Sequence, residues 1–271
     1  MQQPTRKHFQ HAFCYFALGA SCLVVSYIIH GLVWAMVYPA MSCLLVAAAY
    51  STNNSSYLHK TAGTYPWCSI ILFAPYLAGS WYSWSNYSRK IPAWAEIVPG
   101  ILLGRRLTEK EAQDLLNQGE IAVLDLAPEI SEISVLKKIN YKHIPILDLA
   151  SPSIEQLAEA MDFIQSQSHK MRIFIHCSLG LSRSTAVVAA FLIKQGIDME
   201  TAISLIRKFR PEIIVTKDMQ QILTTFEENL GLNEQQEGRS SCGSGSYRCG
   251  DNQPLAYITY PVGKPDCRYT H

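Results

Sequence analysis

Hydrophobic and polar positions divide this chain into two unlike parts. Between Phe9 and Trp84 there is no Asp or Glu, and Lys60 is the only Lys or Arg. Residues 9–29, 32–50 and 67–85 are apolar stretches, each close to the ~20 residues that a helix needs to cross a hydrocarbon core of about 30 Å. His30-Gly31 predicts a tight turn between the first two, and residues 51–66 read as a polar loop. Trp67, Trp81, Tyr82 and Trp84 bracket the third stretch, as interfacial aromatics do. With Pro75 and several serines, that stretch also suits a place in the interface instead of a span. A signal peptide behind Arg6 and Lys7 is an alternative for the first stretch, but no A-x-A site follows it. A helical bundle in water is another, but such helices carry a polar face that these show little of. The expectation is a membrane region over residues 1–90 with two to three transmembrane helices.

From Arg89 onward charged residues occur at ordinary density and the periodicity changes. Residues 97–103 are apolar and broken by Pro99-Gly100, which predicts a short hairpin or bent strand. Thr108 with Glu111 reads as a capping box opening a helix to about Gln118, with Gly119 ending it. Residues 121–126 predict a buried strand, and 141–147 another. Ser151-Pro152 or Ser153 opens a helix to about Gln167. Residues 172–176 read as a central strand, 182–195 as an apolar helix stopped by Gly196, and Asp198 as the cap of a helix ending before Pro211. Residues 216–230 predict a last helix. Alternation of this kind predicts an α/β sandwich over 91–231, a central mostly parallel sheet flanked by helices. Residues 232–271, rich in Gly, Ser, Gln and Asn, read as a disordered tail.

Charge and cysteine content narrow the function classes. A formal net charge of +1 gives no argument for a nucleic-acid partner. Of eight cysteines, Cys14, Cys22, Cys43 and Cys68 lie in apolar stretches and read as small packing residues; Cys242, Cys249 and Cys267 lie in the tail without a pairing pattern.

Cys177 differs from these. The run from Ile175 to Ser184 follows an apolar strand and opens an apolar helix. Such a loop gathers backbone N–H groups beside the positive end of a helix dipole, a site for a phosphate dianion. Ser178, Leu179, Gly180, Leu181 and Ser182 would supply that cradle, and Gly180 permits dihedrals that other residues resist. Arg183 can grip two phosphate oxygens with its fork. The same field favours a Cys177 thiolate, an in-line nucleophile forming a phosphocysteine intermediate. His176 orients the loop, and Ser184 can donate to the sulfur. The competing reading is a structural cysteine at a strand end. An acid for the leaving group is also needed: Asp148, ahead of Ser151-Pro152, is favoured, with Asp125 as the rival, read mainly as structural and as anchoring a turn with Glu129.

The motif His-Cys-x-x-Gly-x-x-Arg-Ser from His176 to Ser184 resembles the cysteine-based phosphatases, in particular the dual-specificity protein phosphatase family, over about residues 95–230. Residues 97–104 are similar to that family's opening strand pair. Residues 121–126 resemble its "V-L-N-L" strand, with Asp125 where Asn is usual. Residues 143–148 resemble the segment carrying its general acid. Phe209-Arg210-Pro211, followed by residues 220–227, is similar to its closing helices. The resemblance implies nucleophile Cys177, phosphate-binding Arg183, general acid Asp148, and no metal or other cofactor. Membrane segments ahead of the domain suggest a bacterial-like membrane branch. The expected activity is protein tyrosine or dual-specificity phosphatase action at a membrane through a shallow pocket. The alternatives are a phosphatase of a single-phosphate lipid and a catalytically dead scaffold. An integral membrane protein with a cytoplasmic catalytic domain is the expected setting, because a reduced thiolate persists there.

Overall fold

The computed structural model describes residues 6–28, 33–52, 55–148 and 150–240. The His30-Gly31 turn, Leu149, and the tail cysteines at 242, 249 and 267 lie outside the described residues. Three helices come first: α1 (Arg6–Ile28), α2 (Val33–Ser51) and α3 (Trp67–Ser88). Among the described residues, only Phe9–Ile28 within α1 is long and apolar enough to cross a membrane by length and composition. α2 holds a shorter apolar run, Met36–Ser51.

The second part is a five-stranded sheet in the order β1-β2-β5-β3-β4. β1 (Trp94–Val98) and β2 (Ile101–Arg105) form an antiparallel hairpin, and Gly100 turns it with φ of +84°. β2, β3 (Ile121–Asp125), β4 (Tyr141–His143) and β5 (Arg172–Cys177) run parallel. Parallel pairs need crossovers, and two are helical: α4 (Glu109–Leu116) and α5 (Ile154–Ser168). Both begin with complete capping boxes, Thr108 with Glu111 and Ser153 with Gln156. α6 (Arg183–Lys194), α7 (Met199–Phe209) and α8 (Lys217–Ser240) follow β5. α8 continues beyond the expected helix end into the 232–271 segment, whose remainder from 241 lies outside the described residues.

β5 is central and buried on both faces, and its alternation sends successive side chains to two different cores. Ile173, Ile175 and Cys177 join the core with Ala186, Val187, Ala190 and Leu192 of α6. Phe174 joins the opposite core with Leu107, Ala112 and Leu115. Each Ile or Leu removed from water there contributes about 1.5–3 kcal/mol. The β4 strand covers only Tyr141–His143 of the expected strand segment 141–147, since Pro145 has no N–H for the ladder. Ile144 and Ile146 still donate to Asp125 and Leu126 carbonyls, at 2.9 and 3.1 Å, so the chain keeps its course toward Asp148.

The three N-terminal helices pack onto this sheet domain. Ala12, Val46, Tyr50, Phe73 and Tyr76 form one apolar cluster with Leu147 and Ala150. The α2–α3 connection adds polar links. Lys60 is inserted into the domain, its Nζ donating to Asp125 Oδ2 at 2.7 Å and to the carbonyls of Ala127 and Ile130 at 2.5 and 2.6 Å. Tyr65 donates to the Pro128 carbonyl, and Glu132 N donates to the Gly63 carbonyl at 2.9 Å. Beyond α3's midpoint, Trp84 Nε1 donates to the Arg106 carbonyl at 3.1 Å while its ring faces the Arg106 guanidinium.

The side chains of Lys60 and Asp125 are each 1% exposed. Burial alone would raise the Asp125 carboxyl, but Lys60, then His176 and His143, hold it far below the carboxylate range. Lys60→Met should therefore cost about 3–5 kcal/mol, the usual effect of stripping one partner from a buried pair. A carboxyl with a depressed pKa stabilises the fold above the unfolded value, ~3.9, and loses that contribution as pH falls through the folded value. In the variant Asp125 lacks its main counter-charge, and protonation relieves it. The deficit should be largest at neutral pH and shrink as pH falls toward 4. It should not vanish, since two carbonyls also lose their donor. Denaturant unfolding of both proteins across pH checks this; a deficit independent of pH would contradict the charge argument.

Candidate active site

Cys177 is the last residue of β5 and Arg183 the first of α6, so the loop between them joins the central strand to a buried helix. Its start is held by β2: Arg106 N donates to the Cys177 carbonyl at 2.8 Å. Its far side is tied by Ile214 N donating to the Leu181 carbonyl at 2.8 Å. Gly180 has φ of +70°, and a Cβ there would sit 2.5 Å from the Gly104 carbonyl oxygen. Gly104 in turn has no room for a Cβ, which would lie 2.4 Å from the Phe174 ring. The loop thus rests directly on the β2 backbone, and two glycines permit it. Gly180 N donates to Cys177 Sγ at 3.2 Å, and Ser184 Oγ lies 3.5 Å from the same sulfur. Ser182 caps α6 without a side-chain hydrogen bond, so first-turn N–H groups remain available to an anion.

The environment of the thiol contains opposing effects. Burial pushes it up, but Arg183 and the hydrogen bonds from Ser184 prevail against the repulsion from Asp148, and the net shift is downward. That is the direction a nucleophilic thiolate requires.

Arg183 is 2% exposed, and its donors can be counted. Nη1 donates to Glu129 Oε2 at 2.8 Å and to the Ile146 carbonyl at 3.0 Å. Nη2 donates to Glu129 Oε1 at 2.6 Å and lies 2.9 Å from Asp148 Oδ1. Nε is buried and has no partner. An arriving phosphate would meet a free Nε–H and could take the second Nη2–H by displacing Asp148, whose side chain is half exposed. Burial would lower the guanidinium, but Glu129 foremost raises it well above its ordinary value. Ser178 also donates to Glu129.

Residues 176–184 expected from sequence therefore come together: Cys177, Ser178, Leu179, Leu181, Ser182, Arg183 and Asp148 line one cavity, with Gly180 and Ser184 at the sulfur. His176 sits beneath it. It is fully buried, stacked on Phe174 with ring centroids 5.0 Å apart, and its Nε2 lies 2.9 Å from Glu132 Oε2. Burial would lower His176, but Glu132 foremost raises it, and the net shift is upward. Asp125 does not line the cavity. Besides Lys60 it accepts from Tyr141 Oη at 2.6 Å and from Ala127 N at 2.9 Å, which spends its acceptor sites on structure. Ligand atoms of Asp125, Glu132 and His176 lie within 4.8 Å of one another, a spacing open to a metal, yet the cation this chain places on Asp125 is Lys60.

Glu129 and Glu132 were not singled out as site residues. Their partners lie far along the chain, and a lone Glu in a loop has no periodicity to mark it. The run Pro128-Glu129, just past a strand end beside the loop strand, is the only hint. A larger difference is the depth of the site. The 91–177 segment is too short for a long recognition loop, but Tyr15, Leu18 and Cys22 of α1, Pro39, Cys43 and Tyr50 of α2, and Pro75 to Trp84 of α3 supply the wall. The cavity measures about 510 Å³.

The sequence profile of the dual specificity phosphatase catalytic domain matches residues 105–229. The chain is 26% identical over 171 residues to human dual specificity protein phosphatase 9, covering 62% of this chain and 44% of that protein. It is 28% identical over 162 residues to dual specificity protein phosphatase Mpk3 of Drosophila melanogaster, covering 58% and 39%. With mouse dual specificity protein phosphatase 19 the identity is 29% over 134 residues, 48% and 60% of the two chains. This chain spans about half the length of these relatives. Among solved structures, the active form of Tk-PTP aligns with a TM-score of 0.47 at 26% identity, over 51% of this chain and 97% of that one. PTPMT1 in complex with PI(5)P aligns with a TM-score of 0.49 at 21% identity, over 53% and 99%. Residues 105–229 of this chain are thus similar to the catalytic domain of the dual specificity phosphatases.

The charge arrangement predicts the pH response of Cys177. Its alkylation by iodoacetamide should follow a midpoint below the ~8.5 of a free thiol. Removing the Ser184 hydrogen bond with Ser184→Ala should move the midpoint up, and Asp148→Asn should move it down. Mass spectrometry of the Cys177 peptide after timed labelling from pH 5 to 10 gives all three curves. A wild-type midpoint at or above 8.5 would contradict the assignment.

Proposed function

We propose that this protein is a cysteine-dependent phosphomonoester hydrolase acting through a phosphocysteine intermediate at a membrane. The observation that carries this is the buried Arg183 fork, which keeps Nε–H unpartnered while Glu129 holds its outer edge, beside a thiol shifted toward its anion. The loop N–H groups and Arg183 bind three phosphate oxygens, which places the phosphorus over Sγ. The thiolate attacks, the ester P–O bond breaks, and protonated Asp148, displaced from Arg183, gives its proton to the leaving oxygen. Water then attacks the phosphocysteine. Asp148 takes the water's proton, the S–P bond breaks, and Ser184 donates to the departing thiolate. Inorganic phosphate is released and the enzyme returns to its starting state.

The relatives are named dual specificity protein phosphatases, which supports phosphorylated proteins as one substrate class for the same chemistry. The fully assembled loop speaks against a dead scaffold. Residues 1–90 are read as the membrane-embedded part, with α1 as a span and α2 and α3 as further or interfacial segments, and residues 91–231 as the catalytic domain. A bacterial-like membrane branch is the family position this suggests. A cytoplasmic placement of the domain suits a thiolate that must stay reduced.

The reaction is tested with a small aryl phosphate and no added metal. Cys177→Ser should retain binding of a phosphate analogue and lose turnover, since an alkoxide is far harder to form at neutral pH. Asp148→Asn should slow esters of poor leaving groups by roughly 10²–10⁴ and affect good leaving groups less. Substantial turnover by Cys177→Ser, or a uniform loss with Asp148→Asn across leaving groups, would overturn these roles.

A further inference from the structure

The cavity over Cys177 is lined by two unlike sets of residues. One is Cys177, Ser178, Arg183 and Asp148; the other is Leu18 and Cys22 of α1, Pro39 and Cys43 of α2, and Pro75 and Gly79 of α3. A phosphoryl group, roughly two to three water volumes or about 60–90 Å³, fills a small part of the 510 Å³. The rest is shaped for the alcohol half of a substrate, at a volume typical of small-molecule sites.

We infer that this alcohol is a membrane lipid: the substrate is a single-phosphate lipid monoester whose headgroup reaches Cys177 and whose tail lies among α1, α2 and α3. The inference deepens the phosphomonoesterase reading and rests on it. Three observations point the same way. First, the helices that wall the cavity turn apolar side chains outward, with Phe13, Phe16 and Ile71 more than half exposed, so a lipid can enter from the surroundings these helices suit. Second, a peptide brings backbone N–H and C=O groups that must be paired when buried. Helical walls spend their own backbone groups internally and offer few partners, whereas an acyl or prenyl chain needs none. Third, Tyr15, Tyr50 and Tyr76 line the cavity as well. Their rings pack together, with Tyr15 5.6 Å from Tyr50 and 5.8 Å from Tyr76. Tyr50 and Tyr76 are 4% and 9% exposed. Such a cluster fits the ester or hydroxyl oxygens that join a phosphate to its apolar chains.

Charge sets the number of phosphates. Arg183 is the only Lys or Arg among the lining residues described, and Glu129 already offsets it. One dianion is therefore accommodated and a second is not.

The test uses the full chain in mixed micelles. Dioleoyl phosphatidic acid is compared with sn-glycerol 3-phosphate, which is its headgroup alone, with matched phosphotyrosine and phosphothreonine peptides, and with a small aryl phosphate. The lipid should exceed glycerol 3-phosphate in kcat/KM at least a hundredfold and both peptides at least tenfold. Gly79 lines the cavity and a Cβ there meets nothing within 4 Å, so Gly79→Leu adds bulk beside the proposed tail. It should lower the lipid-to-aryl-phosphate ratio of kcat/KM at least tenfold. Peptides hydrolysed as well as the lipid, or better, would overturn the inference in favour of a protein substrate, and an unchanged ratio in Gly79→Leu would overturn the location of the tail. Aryl phosphate left intact by the wild type would instead sink the hydrolase reading and this inference with it.

Discussion

A guanidinium taken out of water has to be compensated on every side, and the catalytic end of this protein is organised around that demand. Arg183 lies at the first turn of a helix whose face is core. An arginine left unpaired there would cost several kcal/mol. Glu129 meets it with both carboxylate oxygens and Ile146 adds a carbonyl. Glu129 also accepts from Ser178 in the loop, so one buried carboxylate holds the end of α6 and the start of the loop together. Compensation is incomplete at Nε alone. A buried donor without an acceptor is normally a defect; beside Cys177 it leaves an N–H that the proposed phosphate could use.

A second buried pair extends the same logic to the N-terminal helices. Lys60, the only Lys or Arg between Phe9 and Trp84, reaches Asp125 at the end of β3. Its neighbours Tyr65 and Gly63 bind the segment from Pro128 to Glu132, which carries both Glu129 and Glu132. Thus the α2–α3 connection steadies the stretch that positions Arg183 and His176. Leu147 and Ala150, on either side of Asp148, are packed among the helices as well. Residues before 91 are therefore mechanical parts of the site, where a reading of composition alone assigned them to anchoring.

What the sequence revealed, and what it hid, follows from the range of the interactions. The strand, loop and helix around Cys177 are local: apolar period, glycine and arginine fall within ten residues, so the chemistry could be read directly. Capping boxes at Thr108 and Ser153 are local too, and both form. Glu129 and Arg183 are 54 residues apart, and Lys60 and Asp125 are 65 apart. Such pairs leave no periodic trace, and each member taken alone resembles an ordinary surface charge. Lys60 did carry one sign, its solitude in an uncharged stretch. The wall of the cavity escaped notice for another reason. Apolar helices were assigned to lipid by their composition, which says nothing of the one face that turns toward the protein.

Asp148 shares a cation with the phosphate of the proposed reaction. Its carboxylate lies 2.9 Å from the Nη2 donor of Arg183 that phosphate would also use. The two anions compete for one N–H. Phosphate brings more negative charge and several oxygens, and the loop N–H groups add donors that Asp148 does not reach. Occupation of the loop therefore releases the carboxylate from its cation. The apolar neighbours Leu147 and Ala150 are packed among the helices, so exchange of Asp148 for phosphate at Arg183 needs only one side chain to turn.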